Sequence, residues 1–349
     1  MKIALITVGA LMIVATVLPL LRKDAWWIRV FDFPRIQITV ITVIVALSYL
    51  YISGVEGVFA KVFTITLFAC LIYQSYMMYQ YMPFARKQVQ KSRSQSEGAS
   101  LRLLFANVLM SNRNADELRD IIRREDPDVI LTVETNKWWQ GELKEFEKTH
   151  PLTVHHPLDN TYGMLFYSRL ELINPEVTFL VEDDIPSIHT KLRLPNGKVI
   201  ELHCLHPRPP FPTEAEQSTE RDAELLIVGR AIKKKDEPVI VMGDLNDVAW
   251  SRTNYLFQDI SGLLDPRIGR GFFNTFHASY PFIRFPLDHF FHTNHFRLIE
   301  LKRLENFGSD HFPVMIALSY EPDAEFEQEE LQPDAAQVSE AEEKIEMAV

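Results

Sequence analysis

The chain has 349 residues, 47% of them hydrophobic, and a formal net charge of −11. This length accommodates a membrane module plus one soluble domain, or two ordinary domains. Residues 321–349 carry eleven acidic residues against one lysine, so most of the net charge lies in this segment and the rest of the chain is close to neutral. Overall acidity therefore does not exclude a nucleic acid or a phospholipid as a ligand.

Three apolar stretches come first, at about residues 3–21, 36–52 and 58–79. Each approaches the roughly 20 residues that a helix needs to cross a bilayer core about 30 Å thick. Tryptophan and tyrosine residues cluster toward their ends, where amphipathic rings prefer the membrane interface. The sequence therefore predicts a membrane module with three transmembrane helices over residues 1–83. A cleavable signal peptide in place of the first helix is the alternative.

Basic residues near the ends of these stretches predict the orientation. Four lie in the first loop, within residues 22–35, and four follow the third stretch, within residues 86–93. Lys2 and Lys61 are the counterparts on the opposite side. Because Lys and Arg accumulate in cytoplasmic loops, we expect a multi-pass protein of the bacterial inner membrane type whose C-terminal domain is cytoplasmic. Cleavage of the first stretch would place that domain outside.

Residues 84–100 are polar and lack apolar periodicity, which predicts a linker that tethers a soluble domain at residues 101–320. The acidic residues 321–349 have the composition of a disordered tail. Apolar runs predict strands at residues 101–108, 129–133, 163–168, 188–194, 199–205, 239–242, 287–292 and 313–319, and helices at residues 115–125 and 213–235. Mixed strands with interleaved helices indicate two packed sheets with helices outside.

Polar side chains recur where these predicted strands begin or end. In chain order they are Asn107, Glu134, His206, Asp244, Asn246, Asp288, Asp310 and His311. A single residue of this kind is more often part of a turn. Their repetition at successive strand ends predicts that they project into a common cleft.

These segments resemble the endonuclease/exonuclease/phosphatase family, which has the DNase I-like fold. The resemblance covers about residues 101–320 and is carried by LLFANV, VILTVET, LHCLHPRPP, VIVMGDLND, PLDHFF and GSDHFPV. It implies a four-layer α/β sandwich, in which two mixed sheets are flanked by helices. It also implies a metal-dependent phosphoric ester hydrolase.

The resemblance implies a Mg²⁺ or Mn²⁺ site. Glu134 matches the metal-binding glutamate of the family, with Asn107 beside it and Asp310 as a further ligand. Such oxygen ligands suit Mg²⁺, which prefers near-octahedral coordination by carboxylates, water and substrate phosphate.

The resemblance also implies catalytic roles. Asp244 orients or deprotonates the attacking water, and Asn246 holds that carboxylate or the phosphate. His311 contacts the scissile phosphate as a base or as a charged stabiliser, oriented by a hydrogen bond to Asp288. His206 donates to a phosphoryl oxygen. Which of Asp244 and His311 takes the proton is left open.

Arg208 lies two residues after His206 in the proline-rich loop of LHCLHPRPP, and it is a departure from the motif of the family. We expect it to bind a second phosphate oxygen, and an exposed loop arginine is the alternative. For the substrate we favour a nucleic acid, hence a membrane-anchored nuclease, over a phospholipid or sphingolipid. A catalytically idle membrane scaffold is the non-enzyme alternative. The bilayer is the one further partner that the sequence predicts, and no protein partner is inferred.

Overall fold

The computed structural model describes residues 1–93, 98–235 and 237–349. Its N-terminal part contains α1 (Lys2–Val17), the short α2 (Trp26–Arg29), α3 (Arg35–Ser53) and α4 (Gly57–Tyr79). Residues 2–21, α3 and α4 are each long and apolar enough to cross a membrane. They pack on one another around Tyr49, Phe63 and Leu67, while side chains such as Ile44 and Ile65 face outward.

The C-terminal domain contains eleven strands in its described residues. They are β1 (Ser100–Asn107), β2 (Val129–Val133), β3 (Leu152–His156), β4 (Met164–Ser168), β5 (Glu171–Thr178), β6 (Ser187–Arg193), β7 (Val199–Leu205), β8 (Val239–Asp244), β9 (Asp288–His292), β10 (Phe296–Arg303) and β11 (Val314–Tyr320). One sheet has the order β10-β11-β1-β2-β4-β3 and the other β5-β6-β7-β8-β9. Both mix parallel and antiparallel pairs.

Helices cover the outer faces of both sheets. They are α5 (Ala115–Glu125), α6 (Lys137–Leu143), α7 (Thr219–Lys233) and α8 (Arg252–Ser261). Alternation along β1 explains the layering, since Leu103 and Phe105 join the core between the sheets while Leu104 packs under α5 and α6. Val241 of β8 likewise packs under α7 and α8 beside Phe257. These layers confirm the four-layer α/β sandwich.

The helix expected at residues 213–235 begins only at Thr219. The preceding backbone pairs with the loop between α1 and α3 instead. Trp26 N donates to Glu216 O (3.0 Å), and Ser218 N donates to Asp24 O (2.9 Å). These long-range hydrogen bonds occupy backbone groups that a longer helix would have used.

The segment that follows α4, predicted as a linker, lies along the C-terminal domain. Tyr81 and Val89 are fully buried. Gln88 Oε1 accepts a hydrogen bond from Asp265 N (2.7 Å), and Ser92 N donates to Leu298 O (2.9 Å). Residues 84–93 of the predicted linker are therefore packed against the domain, and residues 94–97 of that linker lie outside the described residues.

The acidic tail is folded, contrary to the expected disorder. It ends in α9 (Ala335–Ala348), which begins with a capping box between Asp334 and Gln337. Lys344 on this helix reaches Asp24 (2.6 Å) and Asp222 (2.9 Å). Composition predicted disorder because it could not reveal these partners, which lie far away in the sequence.

The loop between α1 and α3 (residues 22–34, hereafter the inter-span loop) is anchored by a buried cation. Arg29 is 5% exposed, and its Nη2 lies 3.2 Å from Asp247 Oδ2 and 3.1 Å from Thr253 Oγ1. Trp250 Nε1 also donates to Asp32 O (2.7 Å). Because Asp247 belongs to the C-terminal domain, these contacts fasten the apolar N-terminal helices to it.

We predict that Arg29→Ala destabilises the full-length protein by about 3 kcal/mol, the order of cost for removing one partner of a buried ion pair. The measurement is denaturant unfolding of the protein in lipid nanodiscs, followed by tryptophan fluorescence. The matched control is Arg22→Ala, which removes an exposed arginine from the same loop. Equal midpoints for the two variants would contradict the anchoring role of Arg29.

Candidate active site

The polar residues that the sequence places at strand ends meet at one edge of the sandwich. β1 runs parallel to β2, and β7 runs parallel to β8, so the carboxyl ends within each pair lie side by side. β9 is antiparallel to β8 and places Asp288 directly opposite Asp244. Ser309 Oγ donates to Asn107 O (2.8 Å), which holds the segment before β11 at the end of β1.

At this edge the His311 imidazole lies between two carboxylates. Its Nδ1 is 3.1 Å from both carboxylate oxygens of Asp288, and its Nε2 is 3.6 Å from Asp244 Oδ2. All three side chains are buried. Burial alone would lower the pKa of His311, but the carboxylates of Asp288 and Asp244 outweigh it and raise that pKa to about 10. The ring is therefore a buried cation at neutral pH.

Glu134 lies beside this group and faces the same cleft. Asn107 Nδ2 donates to Glu134 Oε1 (2.8 Å) and to Asp244 Oδ2 (3.1 Å), so one amide joins the two sheets. Burial raises the pKa of Glu134 to about 7, and the nearby Asp310 and Asp244 add to the shift against the opposing effects of Asn107 and His311. Burial also raises the pKa of Asp244. The cleft thus concentrates carboxylates that a cation would stabilise.

Two of these residues have backbone conformations that only a tightly held chain adopts. Glu134 (φ 57°) and Asn246 (φ 51°) are both left-handed, which is uncommon for residues other than glycine and concentrates at functional sites. Gly243 lies so close to β7 that a Cβ atom would come within 1.9 Å of Leu205 O. The Gly-Asp sequence is therefore required by this close approach of the two strands.

Hydrogen bonds fix the turn that follows β8. Asn246 N donates to Asp244 Oδ1 (2.9 Å), and Asn246 Nδ2 donates to Pro207 O (2.9 Å). Arg221, buried on α7, donates from Nη1 to Asn246 O (2.8 Å) and pairs with Asp247 (3.0 Å). The sequence reading missed Arg221, because nothing near it in the chain links α7 to this turn.

His206 lies in the same region but makes different contacts. Burial lowers the pKa of His206 to about 4, against the opposing charge of Asp244. Its ring packs beside Tyr162, with 5.3 Å between the ring centroids. Its Nδ1 is among the buried atoms that have no hydrogen-bond partner within the described residues. The ring is therefore neutral and retains a free nitrogen.

Arg208 makes ion pairs with acidic side chains beside the cavity. Its guanidinium lies 2.9 Å from Glu182, 3.0 Å from Asp184 and 3.6 Å from Glu214, and it stacks on Tyr162. The proline-rich loop thus directs it into an acidic cluster. This arrangement does not support the expected phosphate contact.

A cavity of about 510 Å³ opens above the carboxylates and His311. Its floor includes Glu134, Asp244, Asn246, Asp310 and His311. Its walls come from the inter-span loop, from the loop after β7 and from the segment before β9. The residues that line these walls are Trp26, Val30, Phe33, Pro34, Pro209, Pro210, Phe211, Thr213, Glu214, Phe276, Phe285 and Leu287. The sequence reading missed the inter-span wall, because the aromatic residues there suggested only a membrane interface.

The sequence profile of the Endonuclease/Exonuclease/phosphatase family matches residues 104–311. The chain belongs to this family. The match spans the segment from β1 to the Asp310-His311 pair, which is the segment that builds the cleft. No curated protein sequence matches the chain.

Solved structures of this family share the fold. A D. rerio TDP2 complexed with single-strand DNA product is 18% identical, with a TM-score of 0.54, over 63% of this chain and 99% of that one. The human Nocturnin catalytic domain with bound sulfate is 14% identical, with a TM-score of 0.52, over 64% and 95%. An endonuclease/exonuclease/phosphatase from Beutenbergia cavernae is 18% identical, with a TM-score of 0.51, over 64% and 72%.

Membership in the family and the buried Asp244–His311–Asp288 group make the chain a metal-dependent phosphoesterase. Asp244, Asp288 and His311 each offer a ligand atom within 4.8 Å of the others, a spacing that can hold a divalent ion. Metal binding by His311 would compete with its hydrogen bond to Asp288, because a protonated imidazole has no lone pair for a metal. The sequence motifs, the strand ends and the fold therefore agree on the reaction class.

We predict that Arg208→Gln alters the KM for a small soluble phosphodiester by less than about fivefold, because the guanidinium is engaged by carboxylates and does not contact the substrate. The partly exposed ion pairs that are lost are worth about 1 kcal/mol or less, so the fold should tolerate the change. A direct phosphate contact would be a charge-assisted hydrogen bond worth about 1.5–3 kcal/mol. The measurement is steady-state kinetics of the full-length protein in nanodiscs. A rise in KM of more than tenfold at unchanged stability would support the phosphate contact that the sequence predicts.

Proposed function

We propose that the protein is a membrane-bound hydrolase of phosphoesters that uses Mg²⁺ or Mn²⁺ held by Glu134, with Asn107 and Asp310 beside it. The observation that carries this proposal is the partly buried carboxylate of Glu134, which accepts from Asn107 and faces a cavity that also contains the buried Asp244 and the partly buried Asp310. An excess of buried negative charge is costly unless a cation compensates it. A bound divalent ion would neutralise the phosphoryl oxygens and the leaving oxygen.

The donor set fits such an ion. Carboxylate oxygens are ligands that Mg²⁺ accepts, and Glu134 and Asp310 supply them, while the Asn107 amide holds Glu134 by donating to its Oε1. The alternative group of Asp244, Asp288 and His311 is less suitable, because His311 already donates to Asp288 and carries a proton at neutral pH. We therefore assign the metal to the Glu134 side of the cleft and the proton chemistry to the other side.

Asp244 is the proposed partner of the attacking water. Its Oδ1 accepts from Asn246 N and its Oδ2 accepts from Asn107, so the carboxylate is held in one orientation. A carboxylate held in this way can align a water molecule and accept its proton. Asn246 would then act by fixing Asp244, as the sequence suggested.

His311 is the proposed cation against the transferred phosphoryl group. Asp288 orients its ring and raises the pKa of the imidazole, so the N–H on the Asp244 side stays available to a phosphoryl oxygen. The neutral His206, with one free ring nitrogen, is the proposed second contact to that phosphate. A fixed cation in a dry cleft stabilises developing charge more effectively than water does.

Membrane anchoring is the other part of the proposal, and the three long apolar helices support it. The ends of α1 and α4 and the start of α3 lie on the side of the catalytic domain, because the inter-span loop and Tyr81 both pack against it. The basic residues of these connecting segments favour the cytoplasmic side of a bacterial inner membrane. A nucleic acid substrate, favoured by the sequence, stays a prediction.

The first test uses the full-length protein in nanodiscs and methyl p-nitrophenyl phosphate as a small phosphodiester. We expect hydrolysis that EDTA abolishes and Mg²⁺ restores. Asp244→Asn and His311→Ala should each lower kcat by about a hundredfold or more, the usual contribution of positioned proton transfer or charge stabilisation. Asp183→Asn, which changes an exposed acid, is the control. Equal activity of all variants would refute the assignment.

The second test locates the metal. Calorimetric titration of Mn²⁺ into the full-length protein should show binding weakened by at least about tenfold in Glu134→Gln, because losing a direct ligand costs no less than losing a group that orients one. We expect a smaller loss in Asp288→Asn, which on this assignment acts only through His311. The reverse order would assign the ion to Asp244, Asp288 and His311 instead. Both substitutions remove one carboxylate charge without changing the side-chain volume much, so each serves as the control of the other.

A further inference from the structure

The catalytic cavity has one wall that does not belong to the catalytic domain. Trp26, Val30, Phe33 and Pro34 of the inter-span loop line it above Asp244 and His311. This wall is held by the buried Arg29–Asp247 ion pair and by Trp250, whose Nε1 donates to the inter-span loop. The position of the wall relative to the catalytic floor is therefore set by the fold.

That wall lies at the ends of the apolar helices. Pro34 immediately precedes Arg35, the first residue of α3, and α1 with its short extension ends at Leu21. A residue next to the end of a transmembrane helix lies at the level of the lipid headgroups. A cavity lined by such residues opens at that level rather than far from the bilayer.

Exposed apolar side chains continue this surface outside the cavity. Phe282 is 86% exposed and Ile283 54% exposed, and Gln37 in the first turns of α3 donates to Phe282 O (2.8 Å). Phe211, which lines the cavity, is 56% exposed, and Trp27 beside the inter-span wall is 50% exposed. Aromatic and aliphatic side chains next to a helix end are typical of contact with the lipid interface.

Basic groups that would follow a nucleic-acid backbone are engaged elsewhere. Within the described residues, no lysine or arginine lines the cavity. Arg252 pairs with Glu340, Arg284 donates to Ala278 O and stacks on Phe312, and Arg208 is held by three carboxylates. Affinity for nucleic acid depends largely on such cations, so the cleft favours a substrate that offers one phosphoester and an apolar group.

We propose that the substrate is a lipid phosphoester, whose phosphate reaches Asp244 and His311 while its hydrocarbon part stays against Val30, Phe33 and Phe211 at the membrane surface. This inference rests on the proposed phosphoesterase function and specifies its substrate class. The reaction is hydrolysis. The oxygen of water bonds to phosphorus, the bond from phosphorus to the leaving oxygen breaks, and that oxygen takes a proton, so no oxidant or reductant is needed.

The test compares p-nitrophenyl phosphodiesters whose second ester group is methyl, octyl or dodecyl, with full-length protein in nanodiscs and Mg²⁺. Each buried methylene contributes about 0.8 kcal/mol. We therefore expect kcat/KM to rise by more than about tenfold from methyl to octyl, even if most methylenes stay in lipid. A single-stranded oligonucleotide serves as the competing substrate, and vesicles of phosphatidylglycerol and phosphatidic acid serve as natural lipid phosphoesters.

Two variants assign the effect to the apolar wall. Val30→Gln and Phe211→Ser change exposed side chains, so the fold should tolerate them, and each should reduce the ratio of octyl to methyl kcat/KM by at least about fivefold. The matched control is Phe179→Ser, which removes an exposed phenylalanine outside the cavity and should leave that ratio as in the parent protein.

The outcomes separate this inference from the function on which it rests. Hydrolysis of the methyl ester without any gain from alkyl length, or with faster cleavage of the oligonucleotide, would overturn the lipid substrate and keep the phosphoesterase. Absence of metal-dependent hydrolysis of every ester from folded protein would overturn the proposed function itself. A gain with alkyl length that both wall variants reduce, together with hydrolysis of the vesicle lipids, would support the inference.

Discussion

A line of buried ion pairs joins the loop between the apolar N-terminal helices to the turn that carries Asp244, and the arrangement of the cleft depends on it. Arg29 pairs with Asp247, Asp247 pairs with Arg221, and Arg221 donates to the backbone oxygen of Asn246. Buried charges of this kind are stable only while every partner is present. The inter-span loop and the turn after β8 therefore form one structural unit, and residues of this loop line the cavity above Asp244.

Within the cleft, one buried cation is set among several carboxylates. His311 balances Asp244 and Asp288, while Glu134 and Asp310 add negative charge beside them. A divalent cation and a phosphate would complete this distribution, since the first neutralises the remaining carboxylates and the second meets the imidazolium. The wall above it is largely apolar, and a substrate that fills the cavity would displace water, which strengthens each of these interactions. The reaction class and the proposed lipid substrate thus follow from one charge distribution and the surface that encloses it.

The residues at the strand ends were predictable because strand periodicity is local. The apolar runs that end at Asn107 and Asp244 predict both the strand and the polar residue at its end. The hairpin strand that ends at Leu205 likewise predicts the position of His206. Features that depend on distant partners were not predictable. The start of α7, the folded tail and the position of Arg208 each depend on contacts with segments that no local pattern links to them. The inter-span wall belongs to the same class, since Trp26 and Phe33 look like ordinary interfacial aromatics in the sequence.

The most direct test is a cryo-EM structure of the full-length protein in nanodiscs with Mn²⁺ and dodecyl phosphonate, a non-hydrolysable analogue. We expect the metal at Glu134, the phosphonate between it and the imidazoles of His206 and His311, and the alkyl chain along Phe33 and Phe211. A phosphonate bound elsewhere, or an alkyl chain directed away from the inter-span loop, would contradict the claim that the membrane module and the catalytic domain form a single lipid-facing active site.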